Sequence, residues 1–213
     1  MKVPDERNFG RAGANFFIET LRQLLTVRPV KTIVTDGSEL KHAGVLIPVL
    51  LEDEIWKILL TRRSKRVAHH KGQISFPGGA VDGEDQTYEE TALRETFEEI
   101  GVAREQIEVL GRMDDIQTVA SRFIIHPFVG HIFEGNRFFV NTQEVDGILK
   151  IPLAFLFKAD SHEEKCTVTY EGKIYETAAY RYHEDLIWGA TAGIIKNLVH
   201  ILGDKIDLLQ EKK

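Results

Sequence analysis

An amphipathic helix preceded and followed by glycines is the dominant pattern in this chain. Charged and apolar residues recur with a helical period from about Thr87 to Ile100, and the next residue, Gly101, suits the end of a helix because glycine readily adopts the left-handed backbone found there. At about 100° per residue, three apolar side chains share one face, which we expect to enter the core: Leu93, Phe97 and Ile100. The helix should therefore pack on the rest of the domain through that face.

Three carboxylates lie on the other face of this helix: Glu95, Glu98 and Glu99. Glu95 and Glu99 are one turn apart, so their like charges should destabilise the helix by roughly a few tenths of a kcal/mol. A divalent cation resolves this repulsion, and Mg²⁺ takes carboxylate oxygens while it also contacts substrate phosphates. Arg94, four residues from Glu98, is placed to hold a carboxylate. The alternative is a solvated acidic face without a ligand.

The remaining apolar runs predict strands and two further helices. Residues 8–25 have helical spacing and predict an amphipathic helix that packs on the domain or on a partner subunit. The runs 45–51 and 55–60 are separated by acidic residues and predict a β-hairpin. The other predicted elements are strands at 72–76, 107–110, 123–133 and 138–140, a second hairpin at 166–170 and 173–182, and a helix at 186–202.

This order of elements lacks the strict alternation of a doubly wound sheet. It predicts a fold of the α+β or mixed α/β class, in which a mixed β-sheet lies between helices on its two faces. We assign residues 1–30 to an N-terminal helix packed on the domain, and residues 31–213 to a single main domain.

Composition narrows the class of protein further. The formal net charge of −6 argues against general nucleic-acid binding, which depends on clustered Lys and Arg. The single cysteine, Cys166, excludes an internal disulfide framework and fits a reducing compartment. The first residues lack the apolar stretch of a signal peptide, and the most apolar segment, residues 43–51, is too short to span a bilayer. A cytoplasmic protein without a membrane partner is expected.

The acidic helix and its flanking glycines resemble the signature of the Nudix hydrolases, G-x5-E-x7-R-E-U-x-E-E-x-G-U. The positions that match are Arg94, Glu95, Glu98, Glu99, Gly101 and Val102. Thr96 replaces the first aliphatic residue, and the span from Gly79 to Arg94 is one residue longer than in the general signature. Asp85 or Gln86 therefore takes the place of the signature's first glutamate.

A second segment resembles the additional motif of the coenzyme A pyrophosphatase branch of this family, whose signature has the same extension. It runs from Leu59 through Thr61-Arg62-Arg63-Ser64 to Gln73-Ile74-Ser75-Phe76-Pro77-Gly78-Gly79, with Ala68 where the motif usually has a second arginine. The segment 187–192, Ile-Trp-Gly-Ala-Thr-Ala, also resembles that branch. The resemblance implies the Nudix fold and hydrolysis of coenzyme A to 3′,5′-ADP and 4′-phosphopantetheine. ADP-ribose or dinucleotide hydrolysis, and a Nudix-fold module that binds a nucleotide without hydrolysing it, are the alternatives.

These patterns together predict a site for Mg²⁺ or Mn²⁺ and a CoA-like nucleotide. Glu95 and Glu99 are expected to bind the principal ion, and Glu98 to share a second and so to take part in catalysis. Glu144, in a later loop, is the predicted general base, with a surface or helix-capping acid as the alternative. Arg94 is expected to orient the carboxylates. Substrate contacts are predicted for Arg62, Arg63, Lys71, Gly78 and Gly79. The two arginines suit this role because the guanidinium group binds phosphate bidentately. A homodimer is an open alternative to a monomer.

Overall fold

The structure is a computed structural model that describes residues 6–34, 40–66, 71–118, 121–170 and 172–203. The helices of this described part are α1 (Glu6–Val27), α2 (Tyr88–Ile100) and α3 (Gly189–Leu202), and short 3₁₀ turns lie at Arg104–Gln106, Leu153–Phe157 and Ala159–Ser161. The strands are β1 (Lys41–Glu52), β2 (Ile55–Arg63), β3 (Ile74–Ser75), β4 (Gly78–Ala80), β5 (Ile107–Arg112), β6 (Ile116–Gln117), β7 (Phe123–Ile132), β8 (Val145–Pro152), β9 (His162–Tyr170), β10 (Lys173–Tyr182) and β11 (Asp185–Trp188).

The larger sheet is mixed, as the sequence predicts. Its main path runs β3-β2-β1-β7-β5, while β4 pairs with β1, β6 with β7 and β8 with β2. The β1–β7 pair is parallel and the other pairs are antiparallel. The strands β9, β10 and β11 form a separate antiparallel sheet.

The predicted hairpins are confirmed. β1 and β2 are joined by Asp53 and Glu54, whose φ values of 53° and 60° are left-handed. Two consecutive left-handed residues form the tight turn whose twist matches that of an antiparallel pair. The hairpin of β9 and β10 is also antiparallel, with Tyr170 opposite Lys173.

Helices cover both faces of the larger sheet because β1 alternates its side chains between two cores. Val45, Ile47 and Val49 join a core that also contains residues of α1 and α3, whereas Leu46 and Leu50 join the core beneath α2. Such alternation follows from the two-residue period of a strand. In α1 the residues buried against the sheet are Phe17, Ile18, Leu21 and Leu25. Within the described residues, no helix has the length and apolarity needed to cross a bilayer.

Two sequence predictions about elements are wrong at specific residues, and one long strand was not predicted. Residues 138–140 are not a strand; they run along the end of α2, where Phe139 N–H donates to Ile100 O at 2.9 Å. The last helix begins at Gly189, because residues 185–188 pair with β10 as β11. Strand β8, which pairs with β2, was not predicted.

Candidate active site on helix α2

Local hydrogen bonds fix both ends of α2. The Thr87 side chain accepts a hydrogen bond from the backbone N–H of Glu90, which is the usual bond of an N-cap. At the other end Gly101 has a φ of 72° and its N–H donates to Phe97 O at 2.8 Å. The helix boundaries predicted from the sequence are therefore confirmed within one residue.

The helix is rotated so that it buries an acid in place of an aromatic side chain. Glu99 is 1% exposed, whereas Phe97 is 57% exposed. The prediction that Phe97 enters the core is therefore wrong, although Leu93 and Ile100 are buried as expected. The buried face is centred close to Thr96, about 100° from Phe97 around the helix.

Glu99 lies against the side chains of β2. Thr61 Oγ1 donates a hydrogen bond to Glu99 Oε2 at 3.2 Å, and Arg63 Nη1 lies 3.7 Å from Glu99 Oε1. Burial raises the pKa of the Glu99 carboxyl to about 8; the nearby Arg63 charge lowers it, and the negative Glu95 raises it further. A cation at this position would favour the ionised carboxylate.

Glu95 is the second partly buried acid of the site. Burial raises the pKa of its carboxyl, an effect that Arg94 opposes through a 2.9 Å hydrogen bond from Nη1 to Oε1. The carboxylate lies against Gly79, where an added Cβ would come within 2.4 Å of Glu95 Cδ. The absence of a side chain at Gly79 therefore makes room for the Glu95 carboxylate.

Arg94 connects the preceding loop to the acids of α2. Its Nε and Nη2 donate to the two carboxylate oxygens of Asp85 at 3.0 and 2.9 Å, and Nη2 also donates to Ala80 O. These bonds hold the pKa of the Asp85 carboxyl near 2. Of the two residues predicted for the early acid of the signature, Asp85 thus contacts the site, through Arg94. Its neighbour Gln86 donates its backbone N–H to Glu90.

Glu98 and Glu144 complete the acidic group. Arg94 Nη1 donates to the Glu98 carboxylate at 3.2 Å, and this carboxylate is 45% exposed. The negative charge of Glu144 raises the pKa of both Glu95 and Glu99, so the structure brings Glu144 within electrostatic reach of them. Backbone bonds from Asn141 N–H to Glu99 O and from Ser64 N–H to Glu144 O hold this loop beside the helix.

The structure separates two of the predicted substrate contacts from the acids. Arg62 points to the other face of β2, where it pairs with Asp185 at 2.5 Å. Lys71 is exposed in the turn before β3. Gly78 lies in β4 opposite Val45, in backbone contact with β1. Ala68, at the position where the resemblance departs, lies outside the described residues.

Thr61 is a site residue that the sequence analysis does not predict. Its side chain is fully buried and bonded to Glu99. The available signal was a polar residue directly after the apolar pair Leu59-Leu60, at a strand position where another apolar residue is usual.

The chemistry of this group suits a hard divalent cation. Within the described ranges, no three His, Cys, Asp or Glu side chains converge at the spacing of metal ligands. The donors nevertheless fit: two carboxylates with raised pKa values, Glu95 and Glu99, lie on one helix face, and metal binding displaces protons from such groups. Among the described residues, the Glu98 carboxylate accepts hydrogen bonds from Arg94 alone, and 45% of the side chain is exposed. It can therefore turn towards an ion on its exposed side.

Comparison with known proteins agrees with this geometry. Residues 40–171 match the model of the NUDIX domain. A protein of Photorhabdus laumondii, "Uncharacterized Nudix hydrolase NudL", is 34% identical over 74% of this chain and 83% of its own length. "Nudix hydrolase 3" of Caenorhabditis elegans is 31% identical over 97% of this chain and 91% of its own length.

A solved structure shares the arrangement of helices and strands. The crystal structure of a MutT/nudix family protein from Enterococcus faecalis superposes with a TM-score of 0.50 at 16% identity, covering 95% of this chain and 81% of that one. This likeness concerns the fold: a mixed sheet flanked by helices, which here carries Glu95, Glu98 and Glu99 on α2. Because the family model matches more than half of this chain, the chain belongs to the Nudix hydrolase family.

Proposed function

We propose that this protein hydrolyses the pyrophosphate bond of coenzyme A or a derivative of it, with Mg²⁺ or Mn²⁺ as the cofactor. The observation that carries the proposal is the pair of desolvated carboxylates, Glu95 and Glu99, beside Arg63. Buried carboxylates with raised pKa values are typical of functional sites, because burial of an uncompensated charge destabilises a fold.

The acids of α2 are the proposed holders of the metal. Glu95 and Glu99 would bind the principal ion, and Glu98 would share a second. When bound, such ions neutralise phosphate charge and lower the pKa of water. Arg94, which is held by its bonds to Asp85, donates to Glu95 and Glu98, so the fixed guanidinium orients both carboxylates.

The remaining residues act on the water and the substrate. Glu144 is the proposed general base: its carboxylate accepts a proton from the attacking water as the water oxygen bonds to phosphorus and the bridging P–O bond breaks. Arg63 is the proposed phosphate ligand, because it lies next to Glu99 on the same face of the sheet. Gly79 keeps the approach to Glu95 open.

Coenzyme A is the leading substrate because of the segment that resembles the CoA branch of the family. That segment places Thr61 and Arg63 beside Glu99. Lys65 and Arg66, which follow Arg63 in the chain and are exposed, add positive charge beyond what a pyrophosphate needs, and this suits the additional 3′-phosphate of coenzyme A. A cytoplasmic location and a homodimer remain predictions.

A substrate panel tests the proposal. The protein is incubated with Mg²⁺ or Mn²⁺ and with coenzyme A, dephospho-CoA, ADP-ribose or NADH, and the products are identified by mass spectrometry. We expect 3′,5′-ADP and 4′-phosphopantetheine from coenzyme A, at the highest kcat/KM of the panel. Glu99→Gln protein, purified in parallel, controls for contaminating hydrolases. Preference for ADP-ribose or NADH would favour the first alternative, and binding without turnover would favour a nucleotide-binding module.

A further inference from the structure

Two buried polar atoms on strands β2 and β3 lack a hydrogen-bond partner among the described residues. They are the hydroxyl oxygen of Ser75 and the Nε of Arg63. A buried polar atom without a partner destabilises a fold, so such atoms are rare and call for an explanation. Ser75 lies in β3, which pairs with β2, and Arg63, the proposed phosphate ligand, is the last residue of β2.

The register of this ladder places Ser75 on the same face of the sheet as Glu99. Ser75 lies directly opposite Thr61, and opposed residues of an antiparallel pair point their side chains to one face. Thr61 uses that face to reach Glu99 Oε2. Arg63, two residues further along β2, emerges on the same face, diagonal to Ser75 and within reach of a long side chain.

The bonding capacities of the three groups are complementary. The Arg63 Nε–H only donates, an ionised Glu99 carboxylate only accepts, and a serine hydroxyl does both. The 3.7 Å separation of Arg63 Nη1 from Glu99 Oε1 is longer than a hydrogen bond, so neither group is held closely by the other. A serine hydroxyl between them can accept a hydrogen bond from Nε and donate one to the carboxylate at the same time.

We propose that Ser75 is a positioning residue, whose hydroxyl accepts a hydrogen bond from Arg63 Nε and donates one to Glu99 when a diphosphate group occupies the site. The diphosphate draws the Nη atoms of Arg63 away from Glu99, because a phosphate is a bidentate partner. Ser75 then holds the guanidinium towards the phosphate oxygens and replaces the lost contact of Glu99. This inference rests on the proposed function, since it assumes a substrate with adjacent phosphates.

The test uses methylenediphosphonate, whose P–C–P bridge resists hydrolysis, with Mg²⁺ present. Its affinity is measured by calorimetry for the wild type, Ser75→Ala, Arg63→Ala and the double variant, and the ligand-free melting temperature of each is recorded. We expect Ser75→Ala to bind roughly tenfold more weakly or worse, the loss typical of one hydrogen bond to a charged group. Its ligand-free melting temperature should equal or exceed that of the wild type, because it lacks an unpaired buried hydroxyl.

A matched control is Ser161→Ala. Ser161 is 1% exposed, and its hydroxyl donates to Lys158 O at 2.7 Å, in a 3₁₀ turn that contributes no residue to the site. This variant should melt at a lower temperature and bind the diphosphonate as the wild type does. The opposite pattern in the two serine variants separates a positioning role from a packing role.

Three results would overturn the inference: wild-type protein that does not bind the diphosphonate, Ser75→Ala that binds it as tightly as the wild type, or a loss from Ser75→Ala that is equally large in the Arg63→Ala background. The last result would mean that Ser75 does not act through Arg63. Failure of the proposed function is a different result, namely no hydrolysis of any nucleotide in the panel. Diphosphonate binding does not depend on turnover, so the two failures are distinguishable.

Discussion

Replacing Glu99 with glutamine should make the metal-free protein more stable while it nearly abolishes turnover. Burial raises the pKa of this carboxyl from 4.5 to about 8, so the folded state disfavours its ionised form. Below pH 4.5 this carboxyl is protonated in both the folded and the unfolded state, so it does not reduce the free energy of unfolding. As the pH rises towards 8, the unfolded state ionises first, and the free energy of unfolding falls. Glutamine keeps the volume of the side chain and has no charge to bury.

The magnitude follows from the same two pKa values. Each pH unit between them destabilises the wild type by about 1.4 kcal/mol, so the wild type loses about 3 kcal/mol between pH 4.5 and pH 7. Glutamine does not ionise, so the Glu99→Gln variant does not show this pH-dependent loss. For a chain of this size, the gap in melting temperature should therefore widen by roughly 6–12 °C over that range.

The assay is thermal melting in EDTA at pH 5, 6, 7 and 8, for wild-type and Glu99→Gln protein. The two melting temperatures should be similar at pH 5 and should diverge as the pH rises, with the variant higher. Glu98→Gln is the matched control on the same helix: its side chain is 45% exposed, so this substitution removes no buried charge. A gap for Glu99→Gln that does not change with pH would show that ionised Glu99 does not destabilise the fold. Near-normal turnover at saturating metal would show that Glu99 is not part of the site.

Three further predictions concern the substrate site. Arg63→Ala should lower kcat/KM for coenzyme A by an amount that corresponds to about 1.5–3 kcal/mol of lost transition-state stabilisation, with Mg²⁺ affinity less affected. Steady-state kinetics and a metal titration check this, and unchanged kinetics would assign Arg63 to a solvated role. Gly79→Ala should inactivate the protein while the fold persists, because the new Cβ would meet the Glu95 carboxylate within 2.5 Å; circular dichroism and turnover measured together test it, and full activity would contradict the close approach. Coenzyme A should exceed dephospho-CoA in kcat/KM by about tenfold or more, the loss from one charged contact of about 1.4 kcal/mol; ADP-ribose as the better substrate would exclude the CoA assignment.

Local patterns were sufficient for the elements whose ends are determined by neighbouring residues. Helix α2 was predicted within one residue because Thr87 and Gly101 cap it with bonds that span only three or four residues. The β1–β2 hairpin was predictable because two apolar runs meet at a short acidic turn. The acids Glu95, Glu98 and Glu99 could be placed on one face from helical geometry alone.

Long-range contacts explain the elements that were missed. Residues 138–140 have the composition of a strand, but they pair with no strand of the described part of the chain and instead bond to the end of α2. Residues 185–188 continue the helical pattern of α3, yet β10 offers them a strand partner. Strand β8 contains Gly147 and Lys150, which weaken its apolar pattern, and it forms because β2 lies beside it.

Residue types at short, fixed spacings were enough to identify the family, the acidic face of α2 and the resemblance to a coenzyme A enzyme. Which side of each element meets the site depends instead on packing between elements that are distant in the chain. Arg62 and Arg63 are adjacent in the chain, but a strand points them to opposite faces, and the packing of α2 on the sheet puts only Arg63 of the two beside Glu99. The same packing buries Glu99 and exposes Phe97, a choice that helical periodicity leaves open because it gives the angle between two side chains but not the rotation of the helix on its sheet.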